Sequence, residues 1–191
     1  MKVPTLLRPR RGFTLIELLV VITIIAVLAA AGFAVGTRAL NRARGVSAQS
    51  TAVSLDQAVN LFFSEYGTFP TSEREVTTGS GSSRFLNALT GQDQEANPRG
   101  IRFLSAPEGT RDGEEGGRNG LVYAPGGDVR GLFDPWGNPY TVVLDTEFQE
   151  RLTFTTPDGR SVTLNGRRAA VYSPGVQPGE DIRTSDLITS W

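Results

Sequence analysis

Residues 10–33 read RRGFTLIELLVVITIIAVLAAAGF, and the interpretation of the whole chain depends on this stretch. After the two arginines and Gly12 come 21 residues, Phe13 to Phe33, that carry one charged side chain, Glu17. As an α-helix with a rise of ~1.5 Å per residue, this segment reaches ~31 Å, about the thickness of the apolar core of a bilayer. The stretch therefore predicts a transmembrane helix that begins directly after a basic segment.

The charge of the chain is divided unevenly between its two parts. The formal net charge is −1, but the first twelve residues carry four basic side chains and no acidic one: Lys2, Arg8, Arg10 and Arg11. The remaining residues keep 15 basic side chains against 20 acidic ones, a formal charge of −5. A basic N-terminus before an apolar segment is typical of an export or membrane-insertion signal. The acidic remainder argues against nucleic acid as a partner, because phosphate binding needs clustered Lys and Arg.

Cysteine and histidine are both missing from the sequence. Disulfides and thiol chemistry are therefore excluded, as are the commonest general base and the commonest transition-metal ligand. A metal bound by this chain would need oxygen ligands, which favours Ca²⁺ or Mg²⁺. The sequence has no phosphate-binding loop and no HExxH motif. We predict that the protein is not an enzyme; the alternative, a membrane-tethered enzyme, would need a pair of carboxylates, as in glycoside hydrolases.

Residue chemistry leaves three interpretations of the N-terminal segment open. A cleavable secretory signal would end among small residues near 28–31, but its apolar region would exceed the usual ~7–15 residues and contain Glu17. A plain transmembrane anchor explains the length, yet an unpaired Glu17 in mid-membrane costs up to ~3 kcal/mol or more. The third interpretation takes residues 10–33 as one signal.

That string closely resembles the class III signal of type IV prepilins and pseudopilins, in which a short basic leader ends in Gly and the sequence Phe-Thr-Leu-Ile-Glu-Leu opens a long apolar helix. The resemblance implies a leader of residues 1–12 that a membrane-embedded prepilin peptidase removes after Gly12. It implies that Phe13 becomes the new N-terminus and is N-methylated. It also implies that Glu17 pairs with the Phe13 amine of a neighbouring subunit.

Electrostatics supports the pairing of Glu17 with an amine. Glu17 lies four residues, ~6 Å along a helix, from Phe13. An α-amine, with a pKa of ~7.7–8, is mostly cationic at neutral pH. Since an unpaired carboxylate is costly in a filament core without water, only a correctly staggered neighbour would relieve the cost. Glu17 would then set the register of assembly, as one polar residue does in a coiled coil. The alternative is a Glu17 that only reaches the membrane edge.

The helical pattern continues beyond the apolar segment 13–36 into an amphipathic segment, 37–70. Apolar residues recur on one face at helical spacing: Ala48, Ala52, Leu55, Ala58, Val59, Phe62 and Tyr66. The other positions are largely polar, with Asp56 among them, and Gly67 and Pro70 end the pattern. Three glycines inside the pattern are either packing sites or points where the helix bends: Gly32, Gly36 and Gly45.

Residues 71–133 show the least regular pattern, and we predict a variable loop region there. Residues 77–83 read TTGSGSS, the composition of a flexible linker. Residues 85–89 fit one or two helical turns. Residues 108–120, EGTRDGEEGGRNG, consist almost entirely of loop formers and charges, which predicts a long exposed loop.

The second informative motif is Asp134-Pro135-Trp136-Gly137-Asn138-Pro139-Tyr140. Its two prolines, glycine and asparagine predict a turn, which Trp136 and Tyr140 can anchor with large apolar surfaces. The motif closely resembles the hallmark of the major (G-type) pseudopilin of type II secretion systems, where it introduces the β-strands packed on the helix. We therefore predict a structural role for it.

Residues 134–191 are predicted to form a β-sheet and a C-terminal loop. The candidate strands are Thr141–Leu144, Arg151–Thr155, Ser161–Leu164 and Ala169–Tyr172. The second and third flank a Pro-Asp-Gly turn and predict a hairpin. A long N-terminal helix, transmembrane in its first half and packed in its second half on three or four antiparallel strands, is an α+β architecture. It is the pilin or pseudopilin fold that the resemblance implies.

The chain ends in VYSPGVQPGEDIRTSDLITSW, in which Trp191 is expected to pack against the sheet. In major pseudopilins the corresponding loop binds Ca²⁺, which implies four side-chain ligands here: Ser173, Glu180, Asp181 and Asp186. Calcium takes six to eight oxygen ligands, and these side chains suit it. Leu187 stands where the family usually has another Asp, and residues 176–179 lack the common Gly-x-Asp-Gly. The alternative to a calcium site is a polar loop with solvated acids.

The leading functional hypothesis is a pseudopilin, a structural subunit of a filament that acts in protein export by a type II secretion system. It predicts a single-pass inner-membrane protein with a periplasmic C-terminal domain. Its partners would be identical subunits, minor pseudopilins, the inner-membrane assembly platform and prepilin peptidase. The runner-up is a type IV pilus pilin for motility, adhesion or DNA uptake. The missing cysteines weigh against it, because many such pilins close their C-terminal loop with a disulfide.

Overall fold

A computed structural model describes residues 13–79, 81, 83–114, 116–176 and 187–191, and gives the backbone alone for residues 31–38. The chain divides into two compact units at Arg42 and Ala43. Within the described ranges, none of the helices has both the length and the apolar character needed to cross a membrane.

The described elements are two helices and ten strands. In chain order they are α1 (Leu15–Tyr66), β1 (Glu75–Thr77), α2 (Ser83–Thr90), β2 (Thr110–Asp112), β3 (Gly116–Arg118), β4 (Gly120–Tyr123), β5 (Val129–Phe133), β6 (Thr141–Leu144), β7 (Arg151–Thr155), β8 (Ser161–Asn165), β9 (Ala169–Ser173) and β10 (Ile188–Thr189). The helix predicted at residues 85–89 is α2, with two turns.

In the second unit, α1 buries the face that the sequence spacing indicated. Its core residues are at most 1% exposed: Ala48, Ala52, Leu55, Ala58, Val59 and Phe62. Tyr66 is partly buried and packs against the same cluster. The helix ends as predicted: Gly67 takes a φ of +69° and donates its N–H to the Phe63 carbonyl at 2.8 Å, a common C-terminal cap. A Cβ added to Gly45 would meet no atom of the described residues within 4 Å, so no close approach within the chain requires this glycine.

The main sheet has four antiparallel strands in the order β1-β6-β9-β10, so the predicted α+β fold is confirmed. Side chains on a strand alternate between the two faces. One face packs with α1 through Val142, Leu144, Ala169 and Val171. The other face buries Val143, Ala170 and Tyr172. Because both faces are covered, the two central strands are almost continuously apolar.

The hairpin predicted from the Pro-Asp-Gly turn is present as β7 and β8, but it does not extend the main sheet. It forms a separate two-stranded ribbon whose Leu152 and Phe154 pack on the second face of the sheet. Trp191 lies against Phe154, with ring centroids 5.6 Å apart, so the expected packing of this tryptophan is found. The outer positions of the sheet are taken by β1 and β10, which were too short to detect by periodicity.

The segment 71–133 is more ordered than the prediction of a variable loop region suggested, since it contains β1, α2 and β2 to β5. In the stretch interpreted as a flexible linker, Thr78 is fully buried. Its side-chain hydroxyl donates to the Leu132 carbonyl at 2.7 Å and accepts the Tyr140 N–H at 2.8 Å. Its backbone exchanges further bonds with the same two residues. Thr78 therefore joins β5 to β6, a long-range role that local composition does not reveal.

The expected long exposed loop at 108–120 is instead the β2–β3 hairpin followed by the start of β4. Gly117 explains why glycine is needed: a Cβ there would overlap the side chains of Val122 and Phe133. The glycines that resembled loop formers thus allow the hairpin to lie directly on the apolar side chains of β4 and β5.

An ion pair between the buried Asp56 and the half-exposed Arg167 ties α1 to the start of β9. Asp56, which the sequence placed on the polar side of the helix, is only 7% exposed. Its carboxylate accepts bonds from Arg167 at 3.1 Å and from the Asn60 amide at 2.9 Å. Burial raises the pKa of Asp56, and the charge of Arg167 and hydrogen bonds from Ser190 and Asn60 offset this in part. Burial thus shifts the pKa of Asp56 more than the ion pair and hydrogen bonds do, so the folded protein disfavours the charged carboxylate.

We expect the Asp56 carboxyl to make the protein more stable as the pH falls. A group whose folded-state pKa is raised binds its proton more tightly in the folded chain, so its contribution to stability is lost as pH rises through that pKa. The unfolding free energy of wild type relative to Asp56→Asn should therefore increase as the pH is lowered from neutral towards 3.8, the ordinary pKa of an Asp carboxyl. Denaturant titrations at several pH values measure this, with Asp128→Asn at an exposed loop carboxylate as the matched control. A difference that shrinks with falling pH would contradict the assignment.

Candidate functional site

The start of α1 is closed by a reciprocal pair of hydrogen bonds. Glu17 Oε2 accepts the Thr14 backbone N–H at 2.9 Å and the Thr14 hydroxyl at 2.8 Å. The Glu17 N–H in turn donates to Thr14 Oγ1 at 3.3 Å. Thr14-Leu15-Ile16-Glu17 is therefore a capping box, with Thr at the N-cap and Glu three residues later. The sequence analysis missed this role, although the Thr-x-x-Glu spacing before an apolar run was its signal.

The capping bonds use one oxygen of Glu17. Among the described residues, the other oxygen, Oε1, accepts no hydrogen bond. A shallow recess beside the carboxylate is lined by Phe13, Ile16, Val20 and Val21. The arrangement therefore places an exposed carboxylate, held through one oxygen, beside apolar side chains. Gly12, the predicted cleavage residue, lies outside the described residues.

Large apolar side chains cover the surface of this first part of α1. Between Phe13 and Leu28 they are 45–82% exposed, a set that includes Leu15, Ile16, Val20 and Val21. A continuous apolar surface of this kind marks contact with a membrane or another protein. The exposed apolar helix and the fixed Glu17 carboxylate form one candidate assembly site.

The second candidate site is built around the buried carboxylate of Asp134. Oδ1 accepts the backbone N–H groups of Trp136 at 2.8 Å and Asn138 at 2.9 Å. Oδ2 accepts the Asn138 side-chain amide at 2.9 Å and the Ser173 hydroxyl at 2.6 Å. Four donors to one carboxylate offset the cost of burying its charge.

The backbone of the turn closes on itself around this carboxylate. The Gly137 N–H donates to the Asp134 carbonyl at 3.1 Å, and the Asp134 N–H donates to the Asn138 carbonyl at 2.8 Å. Gly137 has a φ of +97°, a conformation that favours glycine. Pro135, next after Asp134, has its φ fixed in advance for such a turn. The residue types of the motif thus match the backbone that they form.

Tyr140 joins this turn to α1. Its ring is 1% exposed, and its hydroxyl donates to the carbonyl of Ala48 in α1 at 3.2 Å. Burial, together with the negative charge of Asp134, raises the pKa of the Tyr140 phenol well above its usual range. Tyr140 therefore stays a neutral hydrogen-bond donor. Trp136, expected to anchor the turn as well, is half-buried and lies outside both clusters of buried apolar residues.

The turn also holds the end of β9. The Asn138 amide donates to the Gly175 carbonyl at 2.8 Å, and Ser173 bonds to Asp134 as described. On its other side, the Asp134 carbonyl accepts the Asn119 N–H from the link between β3 and β4 at 2.8 Å. Asp134 and Asn138 thus fix the point from which the C-terminal loop departs, a role that sequence reasoning did not assign to them.

Of the four residues expected to hold calcium, only Ser173 lies within the described residues; Glu180, Asp181 and Asp186 lie outside them. The Ser173 hydroxyl is fully buried, donates to Asp134 and accepts the Gly175 N–H at 3.3 Å. The Ser173 hydroxyl therefore has two partners in this structure, both in or next to the turn. In the described part of the chain, no cluster of three or more acidic side chains is placed to hold a metal.

We expect Ser173→Ala to lower the unfolding free energy of the purified protein by about 1.5–3 kcal/mol, the usual value of a hydrogen bond to a charged group. The loss should be equal with excess Ca²⁺ and with a chelator, because the hydroxyl serves Asp134. Denaturant titration measures it, and Ser64→Ala, at an exposed serine of α1, is the matched control. A loss that appears only with Ca²⁺ would instead make Ser173 an ion ligand.

Comparison with known proteins gives one match, at the N-terminus. Residues 7–33 match the family model of the prokaryotic N-terminal methylation motif. Neither a curated protein nor a solved structure matches the chain. Pilin-like proteins are processed by prepilin peptidase, assemble into filaments and are generally structural subunits rather than enzymes. Their N-terminal motif implies a precursor anchored in the inner membrane. Residues 7–33 of this chain thus carry the N-terminal methylation motif that type IV pilin-like proteins share.

Proposed function

We propose that this chain is the precursor of a pseudopilin, the structural subunit of a periplasmic filament in a type II secretion system. The observation that carries the proposal is the capped, apolar helix start inside the methylation motif at residues 7–33. The Asp134–Tyr140 turn supports the pseudopilin over the pilus pilin, because this motif resembles the hallmark of major pseudopilins. Identical subunits, minor pseudopilins and the inner-membrane assembly platform are the proposed partners.

Processing is the first step of the proposed function. Prepilin peptidase cuts between Gly12 and Phe13 and removes the basic leader, and Phe13 is N-methylated. The cut creates a cationic amine one residue before the Thr14 N-cap. The mature subunit remains in the inner membrane through its apolar helix, with the C-terminal domain in the periplasm, until it joins the filament.

In this proposal, each carboxylate oxygen of Glu17 makes a different contact. Oε2 closes the helix start of its own chain through Thr14. Oε1 receives the Phe13 amine of a neighbouring subunit. Because the capping bonds hold the side chain in one place, the carboxylate is fixed before the neighbour arrives, which lowers the ordering cost of the contact. Only a neighbour at the correct stagger brings its amine to this oxygen.

Calcium in the C-terminal loop is a second, separate proposal. Its proposed ligands are Glu180, Asp181 and Asp186 with loop carbonyl oxygens, beside the Ser173 hydroxyl that donates to Asp134. The ion would hold a tail that has no disulfide. The comparison of wild-type unfolding with Ca²⁺ and with chelator, already needed for Ser173→Ala, tests this proposal: equal stability in both contradicts it.

Two single substitutions separate the assembly role of Glu17 from its capping role. Glu17→Gln keeps a side chain that suits a capping box but removes the charge. Thr14→Ala removes the two capping bonds of the Thr14 hydroxyl, keeps the backbone N–H bond and keeps the charge. We expect Glu17→Gln to lower filament yield at least tenfold while cleavage continues, and Thr14→Ala to lower it far less. Electron microscopy of filaments sheared from cells with the complete secretion system measures this yield.

Glu73→Gln, at an exposed glutamate of the C-terminal unit, is the control for the loss of a carboxylate. Normal assembly of Glu17→Gln together with a large loss in Thr14→Ala would show that Glu17 acts as a cap alone. Normal assembly of Glu17→Gln would remove the proposed pairing with Phe13. Filaments that depend on a surface pilus system, with no effect on secretion, would favour the type IV pilus pilin.

A further inference from the structure

Three arginines follow the apolar segment of α1 within seven residues: Arg38, Arg42 and Arg44. The sequence has no acidic residue between Glu17 and Asp56, so this part of the chain carries three positive charges and no negative one. The structure places all three arginines in α1. Neither the fold nor the contact at Glu17 gives these charges a role.

Residues 38–46, called the basic segment below, also carry exposed apolar side chains. The side chains of Arg42 and Arg44 are exposed. Leu40 and Val46 are each 62% exposed. Arginine beside apolar residues is typical of a helix at a membrane surface, where the stem of the side chain lies on apolar groups and its charged end stays in water. The composition of the basic segment therefore suits the boundary of a bilayer.

The basic segment lacks an acidic partner in the part of the chain that the structure describes. None of the salt bridges there includes Arg42 or Arg44. Asp56, the next acid along α1, is paired with Arg167 at 3.1 Å. The arginines that do form salt bridges all lie in the C-terminal unit: Arg84, Arg99, Arg118, Arg160, Arg167 and Arg168.

Clustering these arginines is costly to the chain in two ways. Arg38 and Arg42 are four residues apart, and like charges at this spacing destabilise a helix. Basic residues at the exported end of an apolar segment also oppose the usual orientation of a membrane helix, which keeps Lys and Arg on the cytoplasmic side. An anion supplied from outside the chain offsets both costs.

The position of the basic segment along α1 indicates where that anion is. At ~1.5 Å per residue, Arg42 lies ~44 Å along the helix from Phe13. A bilayer with both headgroup layers is ~40–45 Å thick. With Phe13 at the cytoplasmic surface, Arg42 is therefore at the level of the periplasmic headgroups. Side chains on an α-helix lean towards its N-terminus, here back towards the membrane.

We propose that the basic segment binds the phosphates of anionic phospholipids at the periplasmic surface of the inner membrane. This inference rests on the membrane anchoring of the proposed function. The guanidinium group matches phosphate oxygens with two parallel hydrogen bonds, and each basic side chain near an anionic surface adds to the attraction.

Lipid phosphates are present at this depth as long as the subunit is in the membrane, whereas the carboxylates of a neighbouring subunit arrive only on assembly. The contact therefore belongs to the subunit that waits in the membrane, and it has to break when the subunit enters the filament. This stage is distinct from the pairing of Glu17 with Phe13, which forms on assembly.

Fluorescence quenching in a chain without Cys tests the contact. The full-length Leu40→Cys precursor carries a fluorophore at residue 40 and is placed in vesicles of phosphatidylcholine and phosphatidylglycerol. A trace of either lipid with a nitroxide high in its acyl chain then quenches the fluorophore according to how often that lipid lies beside it. We expect the anionic phosphatidylglycerol to quench about threefold more strongly than phosphatidylcholine, and this preference to fall at high salt.

Paired substitutions show whether the arginines cause the preference. Arg42→Gln with Arg44→Gln should remove most of it, whereas Arg42→Lys with Arg44→Lys should retain it, because an ammonium group also attracts phosphate. The matched control is Arg102→Gln with Arg151→Gln, which removes the same charge at two exposed arginines of the C-terminal unit and should change nothing.

The outcomes separate this inference from the proposed function. Equal quenching by the two lipids in the wild-type background would overturn the inference and leave the carboxylates of a neighbouring subunit as the anion. A preference that survives the Gln pair unchanged would also overturn it. Quenching by neither lipid would mean that residue 40 is not at a bilayer surface, and the membrane anchoring itself would then fail.

Discussion

The C-terminal unit depends on one constraint: the apolar face of α1 must be buried against other parts of the chain. Six residues from Ala48 to Phe62 are at most 1% exposed, and an amphipathic helix owes most of its stability to such packing. The cover is a sheet whose strands come from distant parts of the sequence. Tyr140 and Thr78 hold that sheet in place: one reaches the Ala48 carbonyl, and the other ties β5 to the start of β6. The Asp134 carboxylate then organises the turn that places Tyr140.

A sheet covered by a helix on one face still has a second face to bury. The β7–β8 ribbon and Trp191 cover it, which brings the chain's end back to the middle of the domain. This arrangement removes the need for a disulfide, which the sequence cannot make. It also leaves the outer edge of the ribbon as a long free edge among the described strands.

The fold was predictable from the sequence where a pattern of apolar residues is long or where a turn is determined by its own residues. Seven apolar residues at helical spacing identified the buried face of α1, and the prolines, glycine and asparagine of 134–140 identified a turn. The sequence-based expectations failed where contacts between distant parts of the chain determine whether a residue is buried. Thr78 lies in a linker-like stretch, and Asp56 lies on a polar helix side, yet each is buried by a partner far away in sequence. The 108–120 segment resembled a loop because its glycines allow close packing that composition alone does not show. The capping role of Glu17 was predictable from the Thr14-x-x-Glu17 spacing.

The central proposal is that this chain is a pilin-like precursor cut after Gly12. The most direct test is the intact mass and N-terminal sequence of the protein made in a host with a prepilin peptidase. The account predicts a chain that starts at N-methylated Phe13. A start at or near Gly32 would mean an ordinary secreted domain, and an uncleaved Met1 would mean a plain membrane anchor; either result would contradict the account.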